Sequence, residues 1–278
     1  MPQHPPTIEL RRVTAGYSEA DVLTDLTLSL PVGSRTGLVG RNGSGKTTLI
    51  HVALGLKAPK KGTVELFGEP AWDAPLHNRA RIGFIPQQFY AYEWLTVEKV
   101  LALVGQCYPT WDWPYVERLK KMWFTNPHDR ISELSPGNRQ RVAAMLAIGH
   151  RPELLMLDEP VASMDPNARM EFFNEISSSI HPDNQTLLLS SHITSDIEQY
   201  CSHLAVMRNG ALILHEPIDE LRTRIVRIEQ QSAPRELVDK SLACDEHSLW
   251  FLDAPQSLIA GLKPQQWTLE GLCVVLTQ

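Results

Sequence analysis

The chain has 278 residues, 43% of them hydrophobic and 21% charged, proportions of a globular chain with a buried core and not of a disordered one. With 26 Lys and Arg against 32 Asp and Glu its net charge is −6, which argues against nucleic acid as the main partner and leaves room only for a local basic patch. No apolar run approaches the ~20 residues of a membrane helix, and residues 1–12 carry no signal-peptide core.

The four cysteines, Cys107, Cys201, Cys244 and Cys273, show no CxxC spacing, so a reduced, soluble, cytosolic chain is expected, without a disulfide framework or a zinc site. Along the chain, residues 7–88 alternate short β-like runs (8–13, 26–30, 35–39, 62–66 and 81–85) with Gly-containing turns, and a helical stretch, 47–56, follows the third run. Residues 89–152 read as mostly helical and carry Trp94, Trp111, Trp113 and Trp123. From 153 to 221 strand–helix alternation returns, with apolar runs at 154–157, 186–189 and 204–207 of the kind that parallel strands covered on both faces require. Asp165-Pro166 has the form of a helix start, a capping side chain followed by proline in the first turn. In the tail, 225–228 and 249–252 read as strands, whereas 269–276 reads equally as helix or strand.

The strongest motif is Gly40-Arg41-Asn42-Gly43-Ser44-Gly45-Lys46-Thr47-Thr48, between a β-like run and a helical one. It fits G-x-x-x-x-G-K-[ST], a pattern that arises by chance in only ~1% of chains this long at ordinary glycine usage. Glycines let consecutive N–H groups wrap one phosphate, and the helix that follows offers its positive end. Lys46 would reach the terminal phosphates, and the Thr47 hydroxyl would take a place on Mg²⁺. The second motif is the apolar run 154–157 followed by Asp158-Glu159-Pro160. A buried strand ending in two carboxylates delivers them to the ligand-binding edge of an α/β sheet. Asp158 would hold Mg²⁺, and Glu159 would orient or deprotonate an attacking water. On its own, this pair is also what a strand end meeting an acidic turn would look like.

On these residues the chain resembles the nucleotide-binding subunit of an ABC (ATP-binding cassette) transporter, over about residues 7–220. The resemblance implies a P-loop NTPase (RecA-like) α/β core with a helical signature subdomain at about 89–152. The ATPase domain would span 1–225, with a small C-terminal appendage at 226–278. Several segments match the family pattern in order. Tyr17, 29 residues before Lys46, sits where the family stacks an aromatic on adenine, with an ordinary turn aromatic as the lesser alternative. Gln87 resembles the Q-loop glutamine that senses Mg²⁺ and the attacking water, with Gln88 as an adjacent competitor. Leu134-Ser135-Pro136-Gly137-Asn138-Arg139-Gln140-Arg141 aligns with the signature LSGGQ-x-Q-R, which in the family closes over the partner protomer's γ-phosphate through residues such as Ser135 and Gly137. Pro136 and Asn138 depart from that pattern, and Pro136 removes one N–H donor. Ser163-Met164-Asp165 resembles the D-loop of the dimer interface. His192, 34 residues after Asp158 and behind an apolar strand, stands where the family carries its switch histidine.

The resemblance therefore implies ATP and Mg²⁺ as cofactors, a second ABC ATPase protomer (homodimer or heterodimer) and integral membrane permease subunits as partners, and no nucleic acid. It places the chain in the cytoplasm, peripheral on the inner face of the cell membrane through the permease. Residues 267–277 are similar to a closing segment of exporters of drugs, peptides and polysaccharides, and residues 108–113 to a bacterial antibiotic- and peptide-responsive subgroup. A regulatory cassette with weak hydrolysis and a soluble, non-transport cassette ATPase are the competing readings.

Overall fold

The computed structural model describes residues 5–162, 164–181, 184–229, 241–245, 247–253 and 264–278. Two long strands open the chain, β1 (Ile8–Tyr17) and β2 (Ala20–Leu30), paired antiparallel through a tight turn. After β3 (Arg35–Val39) and helix α1 (Lys46–Ala53), β4 (Lys61–Leu66) and β5 (Glu69–Pro70) complete a four-stranded sheet in the order β2-β1-β4-β5. Alternate residues of these strands, among them Ile8, Leu10, Leu26, Leu28, Leu30, Val64 and Leu66, are buried, as expected of a sheet with one face on the core.

Next come α2 (Leu76–Arg79), β6 (Ile82–Ile85) and the helical block, comprising α3 (Val97–Gly105), α4 (Trp113–Trp123) and α5 (Pro136–Ile148). Each of these three helices starts on a side-chain cap: Thr96 accepts from the N–H of Lys99, Asp112 from Tyr115 and Ser135 from Asn138. Pro136 occupies the first turn of α5, where an N–H would have no partner within the helix, so this departure does not interrupt the helix. α4 buries one stripe, Val116, Leu119 and Trp123, whereas α5 is buried over most of its circumference, packed against β6 as well as α3 and α4. Gly83 makes the approach of α5 to β6 possible: a Cβ there would sit 2.3 Å from the carbonyl oxygen of Ala147.

The remaining core elements are β7 (Leu154–Asp158), α6 (Pro166–Ser179), β8 (Thr186–Ser190), α7 (Thr194–Tyr200), β9 (His203–Arg208) and β10 (Ala211–Pro217). They form a six-stranded sheet, β10-β9-β3-β8-β7-β6, parallel except for β10. The strand period divides each wholly apolar run between two cores. Leu154, Met156 and Leu188 pack with α1 and the antiparallel sheet, whereas Leu155, Leu157, Leu187 and Leu189 pack with the helical block. The expected α/β core with its helical subdomain is therefore present.

The tail contains α8 (Ile218–Arg224), a three-stranded antiparallel sheet of β11 (Ile225–Glu229), β12 (Ala243–Cys244) and β13 (Ser248–Leu252), and a last helix, α9 (Leu269–Thr277). The boundary expected after residue 225 falls inside β11. The ambiguous run 269–276 is helical, capped by Thr268, whose hydroxyl accepts from the N–H of Gly271 at 3.1 Å. α9 packs on α7 and β9, and its Leu269, Leu272, Cys273 and Leu276 join the same apolar cluster as the helical block. The end of the tail thus shares an apolar cluster with the helical block.

Candidate active site

The phosphate-loop motif connects β3 to α1, and its last glycine, Gly45, is the N-cap of that helix with φ 104°. Gly43 and Gly45 both lie in the left-handed region, where a side chain would strain the backbone, and a Cβ on Gly45 would come within 2.9 Å of Leu23. Neither a capping side chain nor an acidic residue occupies the start of α1, so its first N–H groups and its positive end stay free for an anion. The buried Ser44 hydroxyl in the same loop has no hydrogen-bond partner among the described residues. Lys46 is buried, donates to the carbonyl of Gly40 at 2.8 Å and lies 3.3 Å from a Glu159 carboxylate oxygen. Asn42 and Gly43 face solvent, whereas Thr48 is buried in the first turn of α1.

Asp158 ends β7, and both of its carboxylate oxygens are claimed. The Thr47 hydroxyl donates to Oδ2 at 2.7 Å and the Ser190 hydroxyl to Oδ1 at 2.6 Å. Ser190 Oγ in turn accepts the N–H of Glu159 at 2.9 Å, holding Glu159 at a left-handed φ of 44°. Three groups converge on the Glu159 carboxylate: Lys46 at 3.3 Å, the Gln87 amide at 3.5 Å and His192 Nδ1 at 3.6 Å. The carboxyl ends of β3, β6, β7 and β8 thus bring their residues to one edge of the parallel sheet. Of the two adjacent glutamines, Gln87 faces Glu159, whereas Gln88 accepts a hydrogen bond from the Tyr90 hydroxyl at 2.8 Å. Ser190 was not among the residues expected at the site. Its one trace in the sequence is a hydroxyl following the apolar run 187–189, two places before His192.

Four expected positions stand apart: no hydrogen bond among the described residues joins Tyr17, Ser135, Gly137 or Asp165 to the loop or to the carboxylate pair. Tyr17 is half exposed at the β1–β2 turn, with the Lys57 ammonium 4.1 Å from its ring centroid. Ser135 and Gly137 form the start of α5. Asp165 caps α6, and the N–H groups of Ala168 and Asn167 hold its carboxyl below the usual range. Ser163, beside it in sequence, lies outside the described residues.

Among the described residues no group of three His, Cys, Asp or Glu side chains could hold a metal ion. Thr47 and Asp158 nevertheless supply hard oxygens 2.7 Å apart beside the loop. That set suits Mg²⁺, which takes one or two protein oxygens and completes its shell with phosphate and water.

The profile of the ABC transporter family matches residues 23–162. Nod factor export ATP-binding protein I of Cupriavidus metallidurans is 30% identical over 243 residues, 86% of this chain and 75% of that protein. Bacitracin transport ATP-binding protein BcrA of Enterococcus faecalis is 34% identical over 220 residues, 78% of this chain and 71% of that protein. The chain belongs to the ABC transporter family. It is an ATP-binding subunit and an ATPase of that family. The solved ATP-binding subunit of an ABC transporter superposes with a TM-score of 0.70 at 28% identity, over 78% of this chain and 92% of that one. The fold is also shared with a dimeric ATP-binding cassette in a post-hydrolysis state bound to ADP and phosphate, at 21% identity and a TM-score of 0.66, over 76% of this chain and 98% of that one.

In this ABC subunit the C-terminal helix reaches the nucleotide side. A cavity of about 450 Å³ is lined by Gly40 and Arg41 of the loop, by His192 and Thr194, and by Cys273 and Val274 of α9. A second, of about 270 Å³, lies between Asn42–Ser44 of the loop, Asn209 and the last residues, Thr277 and Gln278. No helix among the described residues is long and apolar enough to cross a membrane.

Proposed function

We propose that this ABC ATPase powers export through a permease carried on separate membrane chains, and that two cassettes share each ATP site. The observation carrying the catalytic part is the convergence of Lys46, Gln87 and His192 on Glu159, next to the Thr47–Asp158 pair. With ATP on the loop, the backbone N–H groups of Gly43, Ser44 and Gly45 and the start of α1 hold its phosphates, together with the hydroxyls of Ser44 and Thr48 and the side chain of Asn42. The Lys46 ammonium neutralises charge on the terminal phosphate. Thr47, Asp158 and Gln87 would hold Mg²⁺, which when bound shields the phosphate oxygens from the approaching nucleophile. Glu159, fixed through its own N–H by Ser190, orients a water in line with the γ-phosphorus and takes its proton. His192 hydrogen-bonds the γ-phosphate and so distinguishes ATP from ADP. Tyr17 stacks on adenine, and Lys57 over its ring is displaced or shared.

Ser135 and Gly137 stand apart from the loop within one chain, which supports a second protomer, alike or unlike, presenting its α5 start to this site, with Asp165 at the interface. Export is supported by the relatives named for Nod factor export and bacitracin transport. The cargo class is of the drug, peptide or polysaccharide type, and the subunit sits on the cytoplasmic face of the membrane, held by its permease. Exposed aromatics near Gln87, Tyr90 and Trp94, offer anchors for a helix of that permease. Residues 226–278 act as an accessory to the ATPase domain, with α9 seated beside the loop. The test is to tag the chain, recover it from detergent-solubilised native membranes and assay Mg²⁺-dependent ATP hydrolysis. An integral membrane protein co-purifying with activity supports the reading. Recovery of ribosomes or nucleic acid with no membrane chain overturns it.

A further inference from the structure

We infer that Gln140 is a positioning residue for ATP hydrolysis: from within α5 it fixes the backbone of the loop that presents Gln87 to Glu159. The inference rests on the roles proposed above for Gln87 and Glu159. Gln140 is 3% exposed, and its amide nitrogen donates to the carbonyls of both Pro86, at 2.8 Å, and Gln87, at 2.9 Å. Both neighbours are acceptors, so only the NH₂ end of the amide can face them. The other end, Oε1, is buried without a hydrogen-bond partner among the described residues.

A buried amide with half of its capacity unmet is a costly filling for a helix interior, where an apolar side chain of similar size would pack without penalty. Its donors go not to α5 or to other helices but to two consecutive carbonyls of the segment that follows β6. Pro86, in that segment, has no N–H of its own to donate. The next group along is the Gln87 side chain, 3.5 Å from the Glu159 carboxylate. The reach of Gln140 is itself fixed, since α5 is seated closely on β6 at Gly83.

Gln140 also ties the two ends of the proposed catalytic cycle together. The N-cap of α5, Ser135, lies five residues before Gln140, a distance of about 7.5 Å along a rigid helix. When the start of α5 engages the nucleotide of a partner protomer, the helix carries that displacement to Gln140. The hydrogen bonds to Pro86 and Gln87 then pass it to this chain's own hydrolytic group.

The test uses the full chain with Gln140→Met, which removes both donors at similar volume, and Gln140→Glu, which keeps the shape. For Gln140→Met the expected result is a fall of about 10- to 100-fold in kcat, the scale of a misplaced catalytic group, with the KM for ATP unchanged within a factor of about two. For Gln140→Glu the expected result is low activity at alkaline pH that recovers, relative to the unmodified chain, as acidification gives the carboxyl a donor. Wild-type kcat in both variants overturns the inference, as does Gln140→Glu activity that follows the unmodified chain's pH profile. If Gln140→Met does not fold, the pH profile of Gln140→Glu decides. Failure of both to fold assigns the residue to stability and overturns the positioning role. A parallel Glu159→Gln variant separates the two levels. Hydrolysis surviving in Glu159→Gln sinks the underlying reading, whereas an inactive Glu159→Gln beside fully active Gln140 variants sinks this inference alone.

Discussion

The Lys46 ammonium and the Glu159 carboxylate face each other at 3.3 Å with side chains only 6% and 11% exposed. One residue is expected to hold phosphate and the other to direct water, so each neutralises the other until a nucleotide intervenes. Removing one charge of a shielded pair leaves the other uncompensated, and that loss exceeds what the pair contributed.

Glu159→Gln should therefore be less stable than the unmodified chain without nucleotide, by about 1–3 kcal/mol. ATP should raise its melting temperature by more, because phosphate then supplies the charge that Lys46 has lost. Thermal unfolding with and without ATP checks both signs. Equal ATP-induced shifts in the two proteins would contradict the pairing.

Ser190→Ala removes a single oxygen that both donates to Asp158 and accepts from the Glu159 N–H. The expected cost is about 1–3 kcal/mol of stability, the typical penalty for leaving buried polar groups unmet. Turnover should fall while ATP affinity holds, because Thr47 still supports the other oxygen of Asp158. Steady-state kinetics with an independent ATP-binding measurement separates the two. A raised Kd at unchanged kcat would refute the arrangement.

His150 links the helical block to β6: its Nε2 lies 3.1 Å from the carbonyl of Ile82 and its ring stacks on Tyr108 with centroids 4.1 Å apart. Burial holds its pKa below the ordinary 6.5, and burial, followed by the neighbouring His203, does the same for His215. The folded chain thus resists a proton that the unfolded chain accepts. The stability tied to the neutral rings is complete above the unfolded pKa and is lost as pH falls through and below it. Denaturant titrations from neutral pH to about pH 5 should show this decline, and His150→Gln should reduce its slope. An unchanged slope in that variant would rule His150 out as a contributor.

Leu272→Ala tests the attachment of the tail. Leu272 is fully buried on α9, within the cluster that also holds Trp250, Leu204 and Val206. Truncation should cost about 2–5 kcal/mol and lower the melting of the whole ATPase in one transition. A separate low-temperature transition, with the ATPase transition unmoved, would show α9 to be a detached unit.

What could be read from the sequence was chemistry confined to short spacings. The loop around Lys46 and the run ending at Asp158-Glu159 name their own residue types, and apolar runs without alternation have few homes outside a parallel sheet. Ser190, and the contact that Gln140 makes from within its motif, were hidden for a physical reason. A buried amide and a strand-end hydroxyl acquire meaning only from partners 53 and 31 residues away. The run 269–276 was ambiguous because a short apolar segment satisfies either period, and only packing on α7 and β9 selects the helix. The four tryptophans also separated by position in the fold. Trp111 and Trp123 are buried, Trp94 is 74% exposed and Trp113 is 42% exposed.

The most direct measurement combines phosphate release with molar mass in solution for Glu159→Gln in Mg²⁺ and ATP. The account predicts ATP binding at least as tight as in the unmodified chain, almost no phosphate release and an ATP-dependent dimer that persists. Hydrolysis at the rate of the unmodified chain, with no dimer trapped, would contradict it.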